Sequence, residues 1–361
     1  MVQSCVNLAG SLQKHRAVYI VTRDRDLGSD TAYNGIQPDT WNNFENNIQV
    51  LYLSPKNIRY STIKAAIEEI QPHYIYLNSM FSPCFTLMPL IAKATVKSIT
   101  SQLILAPRGM LHQGAIRFSK LKKRIFFNAF RLAGLQKKIL FHATDITEAG
   151  DIRKIFGNST KIRLVKNFPS FQQQSLQQVI KKPGVLKCLF VSRISPKKNL
   201  LFLLELLQQV KDVQLHLSIV GPVEAESYWE RCMQVIAQMP ANITVQYKGA
   251  IPASQLPVVY AAHHLFVLPT YGENFGHVIF ESIISGRPVL ISDQTPWQQL
   301  IEKGIGYDIP LQEHTQFIKA LYEAAAWTQE EFNNICLSTW KYANDYITGT
   351  DLRKEYLDLF S

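Results

Sequence analysis

Two glutamates, Glu273 and Glu281, stand eight positions apart in PTYGENFGHVIFESIISGRPVLISD, residues 269–293. The first lies in a Gly-rich turn, Gly272-Glu273-Asn274-Phe275-Gly276, and the second inside an apolar helical stretch over 276–286. An ionised carboxylate only accepts hydrogen bonds, so each suits a pair of hydroxyls. A sugar and a ribose both offer such pairs. A second constellation lies upstream in CLFVSRISPKKNLLFLLELL, residues 188–207, which reads as a strand, a turn and an amphipathic helix with apolar positions at 200, 203, 204 and 207. Ser195 is the expected N-cap and Pro196 the first helical residue. Lys198 then falls in the first turn, where free N–H groups and the helix dipole favour an anion. Cations usually avoid that position, so Lys197 and Lys198 point to a phosphate there. Arg193, at the strand end, reaches the same point with its forked donors. Phosphates at the helix starts place a sugar beside Glu273 and a ribose beside Glu281. The competing reading is a solvated basic turn, a dipole partner at Glu273 and a structural Glu281.

Such groups need strand ends and helix starts to carry them. Buried strands are expected at 17–22, 48–53, 74–79, 102–107 and 138–144, and again at 187–192, 214–221, 243–249, 264–270 and 288–293, with helical stretches such as 61–70 between them. Near-continuous apolar strands with helical crossovers mean parallel sheets covered on both faces, a doubly wound α/β class. The chain of 361 residues suits two domains. Residues 1–167 form the first, the Gln-rich, Pro-flanked 168–184 the linker, and 185–340 the second, with a helix at 341–361 returning to the first. Two such domains facing each other bind ligands at the carboxyl ends of their strands. Residues 2–13 read as a helix ahead of the first strand, whereas a Rossmann-like domain opens with a strand and a Gly-rich turn. The expectation is that the first strand and turn are missing; the alternative is a domain that starts with a helix.

The net charge of +10 implies anionic company, or else a solubilising surface, and 47% hydrophobic with 18% charged residues exclude a disordered chain. The five scattered cysteines show no metal spacing and read as reduced thiols. No apolar run is long enough to span a bilayer, and the opening MVQSCVNLAGSLQKH lacks a signal-peptide pattern, so a cytoplasmic protein is expected. Asp24 and Asp26 in DRD are the one candidate metal-holding pair, but interleaved arginines make them a solvated loop. No cofactor or metal is expected. His142 reads as structural within a strand and Glu148 as a helix-start residue.

Arg193, Lys198, the Gly272–Gly276 turn, Glu281 and the following SGRPVLISD strongly resemble the retaining glycosyltransferases of family four, whose pattern is a basic pair followed by Glu, seven residues, Glu. The resemblance extends to APRGMLHQGAIR (106–117), FHATDITEAGDI (141–152) and VKNFP (165–169). It implies a GT-B architecture, two Rossmann-like domains with a nucleotide-sugar donor bound by the second and a glycan or lipid-linked acceptor by the first. It also implies transfer without a metal, by front-face attack, with the departing phosphate accepting the acceptor's proton. Many relatives carry a His in the 106–117 region facing the donor sugar, which makes His112 a candidate catalytic residue beside Glu273, Arg193 and Lys198; Gly272, Asn274, Phe275, Gly276 and Glu281 are the donor-binding candidates. The expected setting is cell-surface polysaccharide or lipopolysaccharide synthesis. Relatives carry a Gly-rich loop after their first strand, and this chain has none. A nucleotide-sugar-binding protein without turnover and a GT-B epimerase therefore stay open.

The positive charge concentrates in RFSKLKKRIFFNAFRLAGLQKK, residues 117–138, where Arg117, Lys120, Lys122, Lys123, Arg124 and Arg131 alternate with Phe118, Ile125, Phe126, Phe127 and Phe130. A basic amphipathic helix suits peripheral contact with an anionic membrane surface, or a core-facing helix with a solvated basic face. A nucleic-acid partner is not expected, because no recognised binding module accompanies the charge.

Overall fold

Among the described residues, the apolar runs of the first 167 positions pair into two sheets. The computed structural model describes residues 2–26, 29–45, 47–111, 120–167, 175–348 and 352–361. They divide into two compact units, Met1–Phe168 with Asp351–Ser361, and Pro169–Thr350. In the first unit β1 (Val18–Arg23) pairs in parallel with β3 (Ile48–Leu53), and β2 (Trp41–Glu45) lies antiparallel on the far side of β3. The all-parallel second sheet runs β4 (Tyr74–Leu77), β5 (Gln102–Leu105), β6 (Ile139–Ala143), β7 (Ile162–Leu164). The sequence reading misses β2 and β7. The first is the polar WNNFE, and the second is three residues long. The helices of this unit are α1 (Val2–Leu12), α2 (Tyr60–Ile70), α3 (Met88–Thr95), α4 (Lys120–Leu132), α5 (Ile146–Phe156) and a terminal helix Leu352–Leu359. Its largest cluster joins Leu103 and Leu105 of β5 and Phe141 of β6 to Phe127 and Phe130 of α4 and Phe156 of α5.

Among the described residues, the second unit is built on one six-stranded parallel sheet. Its strands are β8 (Val185–Val191), β9 (Gln214–Val220), β10 (Ile243–Tyr247), β11 (Leu265–Leu268), β12 (Val289–Ser292) and β13 (Gly306–Ile309), in the spatial order β10-β9-β8-β11-β12-β13. Around it lie α6 (Leu200–Leu207), α7 (Glu226–Ile236), α8 (Leu256–Ala261), α9 (His277–Ile284), α10 (His314–Ala326) and α11 (Gln329–Thr348). The first strand sits centrally and the winding reverses between β8 and β11, the crevice where such sheets take ligands. Helix α6 departs from the amphipathic expectation: all six of its leucines are buried. Each contributes about 1.5–3 kcal/mol by leaving water. The expected single helix at 341–361 is two helices, α11 in the second unit and Leu352–Leu359 in the first.

Candidate functional site

The adjacency of β8 and β11 brings the two sequence constellations together. The chain leaves β8 through Arg193 into a single 3-10 turn, Pro196–Lys198, and leaves β11 through Thr270 into the Gly-rich turn. The backbone N–H of Tyr271 donates to the Lys197 carbonyl at 2.9 Å, and the buried Thr270 hydroxyl donates to the same oxygen at 3.2 Å. The loops are thereby fixed side by side. Across them the Lys198 ammonium meets the Glu273 carboxylate at 2.5 Å, with each side chain 12% exposed. Tyr271 stands open at the mouth, 61% exposed.

The cap geometry corrects one expectation. Ser195 makes no side-chain cap, and Asn199 takes a left-handed φ of 58° that separates the 3-10 turn from α6. Lys198 therefore precedes the α-helix instead of lying in its first turn. The start of α6 is partly occupied as well, because the Leu201 N–H donates to the Tyr228 hydroxyl at 2.8 Å. Arg193 extends to the other side, its guanidinium 2.6 Å from Glu224 after β9, both exposed. A bridge between Ile194 and Val223 carries these two loops alongside each other.

Helix α9 opens at Gly276, whose left-handed φ of 74° favours glycine, and a Cβ there would press on the tip of the Ile279 side chain at 2.8 Å. The helix runs His277–Ile284, shorter than the expected 276–286. The Glu273 N–H donates to the Gln294 carbonyl at 3.2 Å. Gly272 passes with a φ of 155°, and Asn274 is half-buried between it and the helix. Phe275 faces inward: its ring is 6% exposed against Trp297 and Phe280, and its carbonyl accepts from Trp297 Nε1. The ring thereby anchors the turn.

Glu281 sits on the second turn of α9, where the Tyr260 hydroxyl of α8 donates to its Oε2 at 3.1 Å. Burial raises the carboxyl pKa, the Tyr260 bond only partly offsetting it, and burial beside Glu281 lifts the Tyr260 phenol far above its usual range. Sequence reasoning missed Tyr260, which lies 21 positions upstream on another helix without any local signal.

In the first unit His112 lies outside the described residues, but the approach to it is well anchored. Glu148, 1% exposed, accepts from the Gly109 N–H at 2.6 Å and from the Thr144 N–H and hydroxyl, both at 2.8 Å. Asp145 caps α5 by accepting from the Glu148 N–H. Arg108 donates through Nε to Asn78 Oδ1 at 2.7 Å, through one terminal nitrogen to Tyr76 Oη at 2.9 Å, and through the other to Asn167. Tyr76 in turn bonds His142 Nδ1 at 2.7 Å, and His142 Nε2 bonds the Val165 carbonyl at 2.8 Å. Asp24 is not a solvated loop residue: it is 1% exposed and holds Arg25 through both oxygens, at 2.8 and 3.0 Å. Among the described residues no group of three His, Cys, Asp or Glu side chains is arranged to hold a metal ion, and no helix is long and apolar enough to cross a membrane.

With this geometry in hand, residues 171–326 match the model of the family described as glycosyl transferases group 1. O-antigen chain mannosyltransferase B of Escherichia coli is 28% identical over 117 residues, 31% of this chain and 30% of that protein, so the match spans under a third of the curated relative's length. Sucrose-phosphate synthase of Thermosynechococcus elongatus superposes with a TM-score of 0.73 at 15% identity, covering 98% of this chain and 90% of that one. HepE of Anabaena, solved with UDP and glucose, gives 0.69 at 16% identity, covering 99% and 94%. WaaG, a glycosyltransferase involved in lipopolysaccharide biosynthesis, gives 0.66 at 13% identity, again covering 99% and 94%. These likenesses establish the fold as GT-B, two Rossmann-like domains.

Proposed function

We propose, from the match of residues 171–326 to the model of the glycosyl transferases group 1 family, that the protein transfers a sugar from a nucleotide-sugar donor to a glycan or lipid-linked acceptor, with retention of configuration and without a metal, in cell-surface polysaccharide or lipopolysaccharide synthesis. The observation that carries this is the Lys198–Glu273 pair at the point where the sheet order reverses. The donor diphosphate takes the Lys198 ammonium away from Glu273, and Arg193 swings from Glu224 to the same anion. Released, Glu273 accepts from the hydroxyls of the sugar. Glu281, held by Tyr260, accepts from the ribose hydroxyls. The bond from the anomeric carbon to phosphate then breaks as the bond to the acceptor oxygen forms on the same face. The acceptor's proton goes to the departing phosphate oxygen, whose charge Lys198 and Arg193 stabilise.

A thermal-shift panel of UDP-, GDP- and ADP-sugars, followed by transfer and hydrolysis of the best donor with EDTA or Mg²⁺, tests the reading. One nucleotide class is expected to stabilise the protein, EDTA to leave the rate unchanged, and NMR of the product to show the donor's anomeric configuration. Silence from all three classes removes the proposal, and a rate abolished by EDTA removes its metal-free form.

Glu281 gives a second expected result. A carboxyl whose folded pKa is raised stabilises the protein below its unfolded pKa, and that contribution is lost as pH rises through the folded value. At neutral pH the ionised Glu281 thus costs stability and is retained for binding. Glu281→Gln is expected to raise Tm by about 1–3 °C. It is also expected to weaken donor binding roughly 10-fold through loss of charge-assisted hydrogen bonds. A variant that loses stability and binds normally contradicts the assignment.

Helix α4 supports peripheral membrane contact. Phe127 and Phe130 face the core, while Ile125 at 62% and Leu132 at 89% exposure stand outward beside the exposed Arg124 and Arg131. Binding to anionic vesicles is expected to exceed binding to neutral ones, to weaken with salt, and to fall about 10-fold in Ile125→Asp/Leu132→Asp. Equal sedimentation with both vesicle types excludes the contact.

A further inference from the structure

We propose that Arg287 is a positioning residue: its guanidinium ties helix α8 to helix α9 and thereby fixes the bond between Tyr260 and Glu281. Helix α8 has six residues and buries Tyr260 alone, with Val258 74% exposed on its outer side. A helix so short is marginal without tertiary anchors. Its end carbonyls all have donors. The Ala262 N–H reaches Val258, the His263 N–H reaches Tyr260, and His263 Nδ1 lies 2.6 Å from the Val259 oxygen. The last of them, Ala261, accepts from Arg287 Nη2 at 3.1 Å, a cation at a helix C-terminus where the dipole favours one.

Arg287 is itself registered on α9. Its N–H donates to the Ser282 carbonyl at 2.9 Å, and the buried Ser282 hydroxyl donates to the Arg287 carbonyl at 3.1 Å. Ser282 follows Glu281 and Ala261 follows Tyr260. The Tyr260–Glu281 bond and the Arg287–Ala261 bond are therefore opposite sides of one closed ring. From behind, the guanidinium donates through Nη1 to the Cys336 thiol of α11 at 3.1 Å and through Nη2 to the Gln177 carbonyl, and it lies 5.7 Å from the centre of the Phe332 ring. Burial makes the choice of arginine informative. The residue is 1% exposed, its Nε is without a hydrogen-bond partner among the described residues, and its partners are two carbonyls and a thiol instead of a carboxylate. A methionine fills the same space without desolvating a charge, so packing alone does not call for a guanidinium. What the planar fork supplies is several N–H groups at fixed angles, here aimed at α8, α11 and the chain at Gln177 together. With Oε2 held by Tyr260, Oε1 of Glu281 is left for a ribose hydroxyl.

Two readouts separate positioning from bracing. In urea unfolding, Tyr260→Phe and Glu281→Met are expected to be non-additive by roughly 5-fold in the unfolding constant when Arg287 is present, and additive within about 2-fold in Arg287→Met. Arg287→Lys is expected to recover part of the coupling. UDP, GDP and ADP are then each compared with their 2′-deoxy analogues by calorimetry. The nucleotide that binds best is expected to lose about 10-fold without its 2′-hydroxyl in the wild type and only about 2-fold in Arg287→Met. The deoxy analogue itself is expected to bind both proteins alike. A lower Tm in Arg287→Met with the Tyr260–Glu281 coupling intact overturns the inference and leaves Arg287 a brace for the chain at Gln177. The nucleotide readout rests on the proposed role of Glu281, whereas the coupling does not. Coupling lost in Arg287→Met, in a protein that never distinguishes ribose from deoxyribose, upholds the ring and removes the ribose role instead.

Discussion

Glu273→Gln is expected to reduce sugar transfer by about 10²-fold or more while the donor nucleotide binds more tightly, not less. The expectation rests on the two states of one carboxylate. Without donor it neutralises Lys198 at 2.5 Å in a spot where both side chains are 12% exposed, so the pair is shielded from water but not sealed from it. A diphosphate arriving at Lys198 must displace this internal competitor. Glutamine fills the same volume without the charge, and the ammonium is then free for phosphate. Removing the competition is expected to tighten nucleoside diphosphate binding roughly 3- to 10-fold, near 1 kcal/mol. The chemical step suffers because an amide is a poorer acceptor than a carboxylate for the sugar hydroxyls, and small errors in placing the anomeric carbon cost about 10²-fold. The diagnostic is the split: kcat falls while KM for the donor does not rise. Lys198→Met provides the contrast, since it leaves the carboxylate and removes the cation, and it is expected to weaken the diphosphate instead. Equal loss of binding in both variants shows a pair that merely braces the loops.

The parts of this site legible in the sequence are those set by one strand and the turn that follows it. Arg193 and Glu273 belong to local patterns, apolar strand, glycine or proline turn, apolar helix, and local patterns need no partner to be recognised. The cap at Ser195 fails as an expectation because Asn199 tolerates a left-handed φ and ends the 3-10 turn one residue after Lys198, an event no periodicity announces. Strand β13 escapes notice because GYDI contains an aspartate; its carboxylate accepts the Gln299 and Leu300 N–H groups at 2.8 Å each, a bond visible only once the turn has formed. Tyr260 is missed, and the inward turn of the Phe275 ring goes unforeseen, for one reason. Whether an aromatic faces a ligand or the core depends on Trp297 and Glu281, which reach it from other elements. The separate sheets of the first unit have the same origin, since pairing is a property of two strands and neither sequence alone contains it.

Acidification is expected to unfold the protein steeply between about pH 6.5 and pH 4, through three buried histidines. His142, His263 and His264 are buried, and each ring uses both nitrogens. His263 Nδ1 lies 2.6 Å from the Val259 carbonyl and Nε2 2.9 Å from the Ser218 hydroxyl. His264 Nε2 lies 3.0 Å from the Ile180 carbonyl, and its Nδ1 accepts from the Lys187 N–H at 3.0 Å. A backbone N–H cannot accept, so a proton added to His264 Nδ1 meets another proton. Burial accordingly lowers the pKa to about 4 for His263 and His264, and to about 3 for His142. The unfolded imidazole binds its proton near pH 6.5 while the folded one refuses it. Stability is therefore fully present above pH 6.5 and is lost as pH falls toward the folded values, by up to about 1.4 kcal/mol per pH unit for each ring. Denaturant titrations at pH 7.5, 6 and 5 measure that slope. His264→Gln is expected to be less stable at pH 7.5 yet to show a shallower fall, by one proton's worth, whereas a wild-type slope near zero across this range contradicts the neutral, doubly bonded rings.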